Sequence, residues 1–121
     1  MIHTVLTAFE RQHRPISVAE LGQILGVSEI RACRAIAFLN EKKLIVRDNQ
    51  NNWRLNVQPM VLSLLHESVQ SDIAIAHYLK LPVELIRYEL KLLVDAEQVR
   101  VISREENSFA ASQLIYQLQD R

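Results

Sequence analysis

A shift of 54 residues lays Ser17–Ile45 onto Ser71–Val99 without a gap, and the apolar positions coincide along the whole stretch. Leu21 falls on Ile75, Leu25 on Leu79, Val27 on Leu81, Ala32 on Ile86, Ile36 on Leu90, Leu39 on Leu93 and Ile45 on Val99. Few of these pairs are identical; what repeats is the pattern of burial that the sequence demands. A repeat of this length means two similar substructures in series, each with its own apolar face, rather than one mixed core. The sequence therefore divides into residues 1–58 and 59–121.

Each copy carries the same local signals in the same order. A first helix runs from Ile2 to Gln12, with Val5, Leu6 and Phe9 inward, and its counterpart from Met60 to Ser68, with Leu62 and Leu65 inward. Ser17, with Glu20 three residues on, is a capping box that opens a second helix, and Gly26 supplies the left-handed stop. Leu21, Ile24 and Leu25 follow the cap at helical spacing. A third helix begins at Ser28 and places Ala32, Ala35, Ile36 and Leu39 on one side. Leu44-Ile45-Val46, a polar turn at Asp48–Asn52 and Trp53-Arg54-Leu55 then read as a β-hairpin. The second copy's hairpin is expected at Val99–Ile102, with a turn over Arg104–Ser108 and a short strand near Phe109. Ser112–Gln119 is expected to form one extra, C-terminal helix. The expected fold class is mainly α with small β-hairpins.

Charge separates the copies. The chain is neutral overall, with 14 Lys and Arg against 14 Asp and Glu. Residues 1–58 hold eight Lys and Arg against five Asp and Glu, whereas residues 59–121 hold six against nine. The front is thus basic by three charges and the back acidic by three. The one cysteine, Cys33, rules out an internal disulfide and a cysteine-built zinc site, and His3, His13, His66 and His77 share no ligand spacing. No phosphate loop, nucleophile elbow or paired-carboxylate site is visible, so the chain reads as a non-enzyme without metal or cofactor. No leader or membrane-spanning run is visible either, and a cytoplasmic location is expected.

Three helices followed by a hairpin, with a tight turn between helices two and three, is the winged-helix order. The residues Ala19-Glu20-Leu21-Gly22-Gln23-Ile24-Leu25-Gly26-Val27-Ser28, then Ala35–Leu39, then Lys43-Leu44-Ile45, resemble the helix-turn-helix core of small bacterial transcription regulators. Lys43 stands where that family usually has glycine. In the second copy Lys80 and Pro82 stand where Gly26 and Ser28 do. The resemblance implies two winged-helix lobes and a third helix that enters the DNA major groove, with the hairpin, or wing, on the backbone or minor groove.

On that pattern the outward face of the third helix carries Ile30, Arg34, Ala37 and Glu41, flanked by Arg31 and Cys33. The DNA-contacting set is expected to be Ser28, Ile30, Arg31, Arg34, Lys42, Lys43, Arg47 and Arg54, with Arg34 as the central base or phosphate contact. Arg11, His13 and Arg14 extend the basic rim. Trp53 reads as core rather than a stacking platform, and Cys33 as an inert small residue rather than a redox sensor. In the second copy Arg87 and Lys91 are spaced to pair with Glu84 and Asp95 along their helix, which blunts them as DNA contacts. That lobe, with Tyr88 and the stripe Leu114, Ile115 and Leu118 behind Phe109, is expected to be the dimer or protein-partner surface.

Three functions remain open on the sequence. The first is a double-stranded DNA-binding regulator working through the first lobe. The second is an adaptor that binds protein, resembling the tandem winged helices of condensin-like accessory subunits and membrane-sorting complexes; neutral charge and apolar outward residues (Ile30, Leu85) favour it. The third is RNA binding, as in the tandem winged helices of the selenocysteine-specific elongation factor. Fold resemblance alone does not choose among them.

Overall fold

The computed structural model describes residues 2–107 and 110–119. The chain is mainly helical, with small antiparallel sheets, and divides into two compact units, residues 1–56 and 57–121. No helix among the described residues is long and apolar enough to cross a membrane.

The first unit consists of α1 (Ile2–Gln12), α2 (Val18–Leu25), α3 (Glu29–Glu41), β1 (Ile45–Arg47) and β2 (Trp53–Leu55). α1 turns Val5, Ala8 and Phe9 inward at helical spacing. Ile16, Leu21, Ala32, Ile36, Leu39, Ile45 and Leu55 are buried in the same unit. Burying a side chain of this kind is worth about 1.5–3 kcal/mol, and this small core holds the unit. Ile24, at helical spacing from Leu21, is exposed.

α2 starts as its capping box dictates. Glu20 N donates to Ser17 Oγ at 3.1 Å, and Ser17 N donates to Glu20 Oε1 at 3.3 Å. It stops at Gly26, whose φ of 67° lies in the left-handed region and whose N–H donates to Gln23 O at 3.3 Å. A Cβ added at Gly26 would meet nothing within 4 Å. The cost of Gly26→Ala is therefore conformational alone. A loss of about 1 kcal/mol is expected, read as a lower urea midpoint at unchanged slope.

β1 and β2 pair antiparallel, Ile45 with Leu55 and Arg47 with Trp53. Their turn is closed by Asp48, whose Oδ1 accepts from Gln50 N at 2.8 Å and from Asn52 N at 3.0 Å. Ile16 forms an isolated bridge to Trp53, which ties the segment before α2 to the hairpin.

The second unit consists of α4 (Gln58–Glu67), β3 (Gln70–Ser71), α5 (Asp72–Leu79), α6 (Val83–Asp95), β4 (Val99–Asn107) and β5 (Ala110–Leu118). Its backbone repeats the first unit at the same 54-residue offset. Ser17 caps α2 and Ser71 caps α5. Lys80, at φ 58°, ends α5 where Gly26 ends α2. Val27 N donates to Gly22 O, and Leu81 N to Ala76 O, both at 3.0 Å. Lys43 and Glu97 both sit at φ 60° after the third helix of their unit. Leu44 N then donates to Leu39 O, and Gln98 N to Leu93 O, again both at 3.0 Å. Even the bridge has a counterpart, since Gln70 pairs with Tyr116 as Ile16 does with Trp53.

The C-terminal helix expected over Ser112–Gln119 is absent: β5 occupies Ala110–Leu118 and is the middle strand of a sheet ordered β3-β5-β4. Leu114, Ile115 and Leu118 suit a helical stripe, but Leu114, Tyr116 and Leu118 equally suit alternation along a strand, and pairing with β4 decides between them. The turn expected over Arg104–Ser108 is likewise displaced, because residues 104–107 still belong to β4. Ser108 and Phe109 lie outside the described residues. The register slips between Val101 and Ser103, which marks a bulge in β4.

Candidate nucleic-acid interface

In the first unit the turn Gly26-Val27-Ser28 sets α3 against α2, and burial of Ala32, Ile36 and Leu39 fixes which side of α3 remains outside. Ile30, Arg31, Cys33, Arg34, Ala37 and Glu41 are all exposed. This is the outward face that the sequence period indicates. Ser28 is exposed as well and caps α3: its Oγ accepts from Arg31 N at 3.3 Å, which leaves the hydroxyl proton to donate elsewhere. Among the large apolar side chains here Ile30 is the most open, at 69% of its full exposure.

The surrounding cations differ in how they are held. The Lys42 ammonium lies 5.7 Å from the centre of the Phe38 ring, and the Arg47 guanidinium 5.8 Å from Trp53. Such cation–π contacts orient a charge without neutralising it. Half-buried Trp53 is thus both a part of the hairpin base and a platform for Arg47. Lys42, Lys43 and Arg47 are exposed. Arg54 is half-buried and already engaged by a neighbour. Arg14 is committed elsewhere: its Nη2 donates to Glu20 Oε2 at 2.7 Å. The hydrogen bond and charge of Glu20 raise the Arg14 pKa, while the hydrogen bond from Arg14 and that from Ser17 lower the pKa of Glu20.

The second unit departs from expectation at α6. Arg87 does not pair with Glu84; its Nε donates to Asp72 Oδ2 at 2.8 Å. Asp72, the first residue of α5, is buried, and its Oδ1 also accepts from Ile73 N at 2.8 Å. Leu85, expected outward, is buried as well. The buried face of α6 is broad, comprising Leu85, Ile86, Glu89, Leu90 and Leu93, and it includes an acid. Glu89 is only 2% exposed and accepts from Gln58 Nε2 at 3.0 Å. Tyr88 is half-buried on α6, and Leu114, Ile115 and Leu118 are half-buried on β5. On a strand Leu114 and Leu118 share a face and Ile115 takes the other. Leu114, Ile115 and Leu118 therefore do not share one helical face, and Phe109 lies outside the described residues.

The residues missed by the sequence reading are Asp72, Glu89 and Gln58. A signal for Asp72 was present. At the 54-residue offset, Asp72 and Arg87 stand where the first unit has Val18 and Cys33, so two charges enter together.

Tyr116, buried against this pair, has its pKa raised, first by burial and then by the Asp72 carboxylate, with Arg87 opposing. A phenol whose folded pKa exceeds its unfolded one stabilises the fold fully below the unfolded value. That contribution disappears as pH rises through the folded value. The second unit should therefore weaken as pH climbs past 10.0, the ordinary tyrosine value. Tyr116→Phe should flatten the fall in urea midpoint between about pH 9 and pH 11. An unchanged slope would sink the assignment.

Compared with protein-family models and with curated proteins, the chain matches none of them.

Proposed function

We propose that the chain is a double-stranded DNA-binding protein of winged-helix build, a transcriptional regulator, with α3 and the β1–β2 hairpin of the first unit as its DNA surface. The observation that carries this reading is the side of α3 opposite the buried Ala32, Ile36 and Leu39. Arg31 and Arg34 are exposed there, and Lys42, Lys43 and Arg47 stand exposed in the same unit. An exposed helix with cations along it and around it is the electrostatic footprint of groove binding. The three positive charges in excess support it, and Glu29 and Glu41 at the two ends of α3 limit it.

The test is a salt series on the full chain with a labelled duplex of mixed sequence, read by fluorescence anisotropy. Arg31, Arg34, Arg47 and one lysine on phosphates would give a log–log slope of about −3 to −4. Affinity should then fall about a hundredfold between about 50 and 200 mM salt. A flat response, or no binding at low salt, removes the reading. Protein adaptor is the second reading, favoured by one observation: Ile24, Ile30, Phe38 and Leu44 are exposed large apolar side chains on α2, on α3 and just before β1. A protein partner would cover these, whereas a phosphate backbone would not.

A further inference from the structure

A groove of about 720 Å³ in the second unit runs between α5 and α6 and is lined on its apolar part by Ile73, Ala76, Leu81 and Val83. Three basic side chains share it, His77, Lys80 and Arg87, together with one acid, Glu84. At the 54-residue offset the first unit holds Gln23, Gly26 and Cys33 at the three basic positions, so the basic groups belong to the second copy alone. Lys80 is notable, since it keeps a left-handed φ of 58° that glycine would adopt without strain.

Arg87 is not a loose surface charge. Its Nε is fixed at 2.8 Å by Asp72, whose side chain is 3% exposed, while the Arg87 side chain itself remains 40% exposed. Among the described residues its Nη groups meet no acceptor. A buried carboxylate that holds one edge of a guanidinium leaves the other edge oriented for a planar, two-oxygen acceptor. The fold does not need this pair, as the first unit is built with Val18 and Cys33 in its place. An ion pair with one buried member is weak evidence for a stabilising role.

We propose that this groove binds a short peptide carrying a carboxylate beside an aliphatic side chain. The carboxylate meets the Nη groups of Arg87 with Lys80 close by, and the aliphatic group covers Ile73 and Leu81. A nucleic-acid strand fits less well. Glu84 lines the same groove, and the second unit holds nine acids against six Lys and Arg. A continuous run of phosphates would be repelled where one carboxylate is accepted.

The probe is acetyl-Leu-Asp-Leu-amide, with acetyl-Leu-Asn-Leu-amide as its uncharged match, titrated into the isotopically labelled full chain and followed by nuclear magnetic resonance. The acidic peptide should move the Lys80 and Leu81 amides and the Arg87 Nε signal saturably. The amide peptide should bind at least about tenfold more weakly. Asp72→Val combined with Arg87→Cys copies the first unit, and should leave the remaining spectrum intact while losing at least about tenfold in affinity. Lys80→Gly, which keeps the backbone conformation, should weaken binding by a smaller factor.

Equal response to both peptides overturns the proposal, as does undiminished binding by the double variant. Shifts that map outside α5 and α6 also overturn it. If acetate or inorganic phosphate alone reproduces the shifts at equal concentration, the site takes bare anions and the peptide assignment is wrong. If duplex DNA moves these signals and the peptide does not, the groove belongs to nucleic acid.

Discussion

Arg87→Cys alone is expected to destabilise the second unit by about 2–4 kcal/mol, and adding Asp72→Val is expected to recover most of that loss. The single change leaves a carboxylate that is 3% exposed with one backbone N–H donor, Ile73 N, and no counter-charge. Removing one member of a fully buried pair costs about 3–5 kcal/mol, and the partial exposure of Arg87 places this case lower. The double change removes both charges and installs the two side chains that the first unit already uses at Val18 and Cys33. Replacing a buried pair by apolar groups of suitable size is often neutral. Hydrogen exchange at the amides of α5 and α6 reports on this unit specifically. A double variant as weak as the single one would mean that shape at Arg87, and not the uncompensated charge, sets the cost.

That ion pair also marks where sequence reasoning reaches its limit. The elements fixed by contacts within a few residues were legible: the capping box at Ser17 and Glu20, the stop at Gly26, and the period that buries Ala32, Ile36 and Leu39. So was the offset that carries these features into α5 and α6. Asp72 and Arg87 are 15 residues apart on different helices, and no local spacing rule joins them, whereas Glu84 and Arg87 satisfy one and do not pair. The tail failed for a related reason. Ala110–Leu118 is compatible with either period, and its strand state comes from β4 on one side and Gln70-Ser71 on the other. On the candidate interface, exposure of Arg31 and Arg34 followed from the helical wheel. The contacts of Lys42 with Phe38 and Arg47 with Trp53 depend on side-chain conformations that no periodicity encodes.

Arg34→Glu is expected to weaken DNA binding at least tenfold without altering stability. Arg34 is exposed near the middle of α3, two residues beyond the buried Ala32 and two before the buried Ile36. Its replacement touches no core side chain, and a surface change of this kind normally shifts stability by less than about 0.5 kcal/mol. At the interface the same change deletes a contact and introduces a repulsion. One good bidentate contact to a base is worth about 1–3 kcal/mol, which alone spans about fivefold to more than a hundredfold. The matched control must be a cation of the second unit whose removal leaves that unit intact. Arg87 is unsuitable, because its loss strands Asp72, so Lys91→Glu on the exposed side of α6 takes that role. Both variants are compared with the parent by anisotropy on one duplex at one salt concentration, after circular dichroism and thermal melting confirm equal folding. Lys91→Glu should change affinity by no more than about twofold, because the reading places no DNA contact on the second unit. Should Lys91→Glu abolish binding while Arg34→Glu leaves it intact, the DNA surface lies in the second unit and the assignment to α3 is wrong.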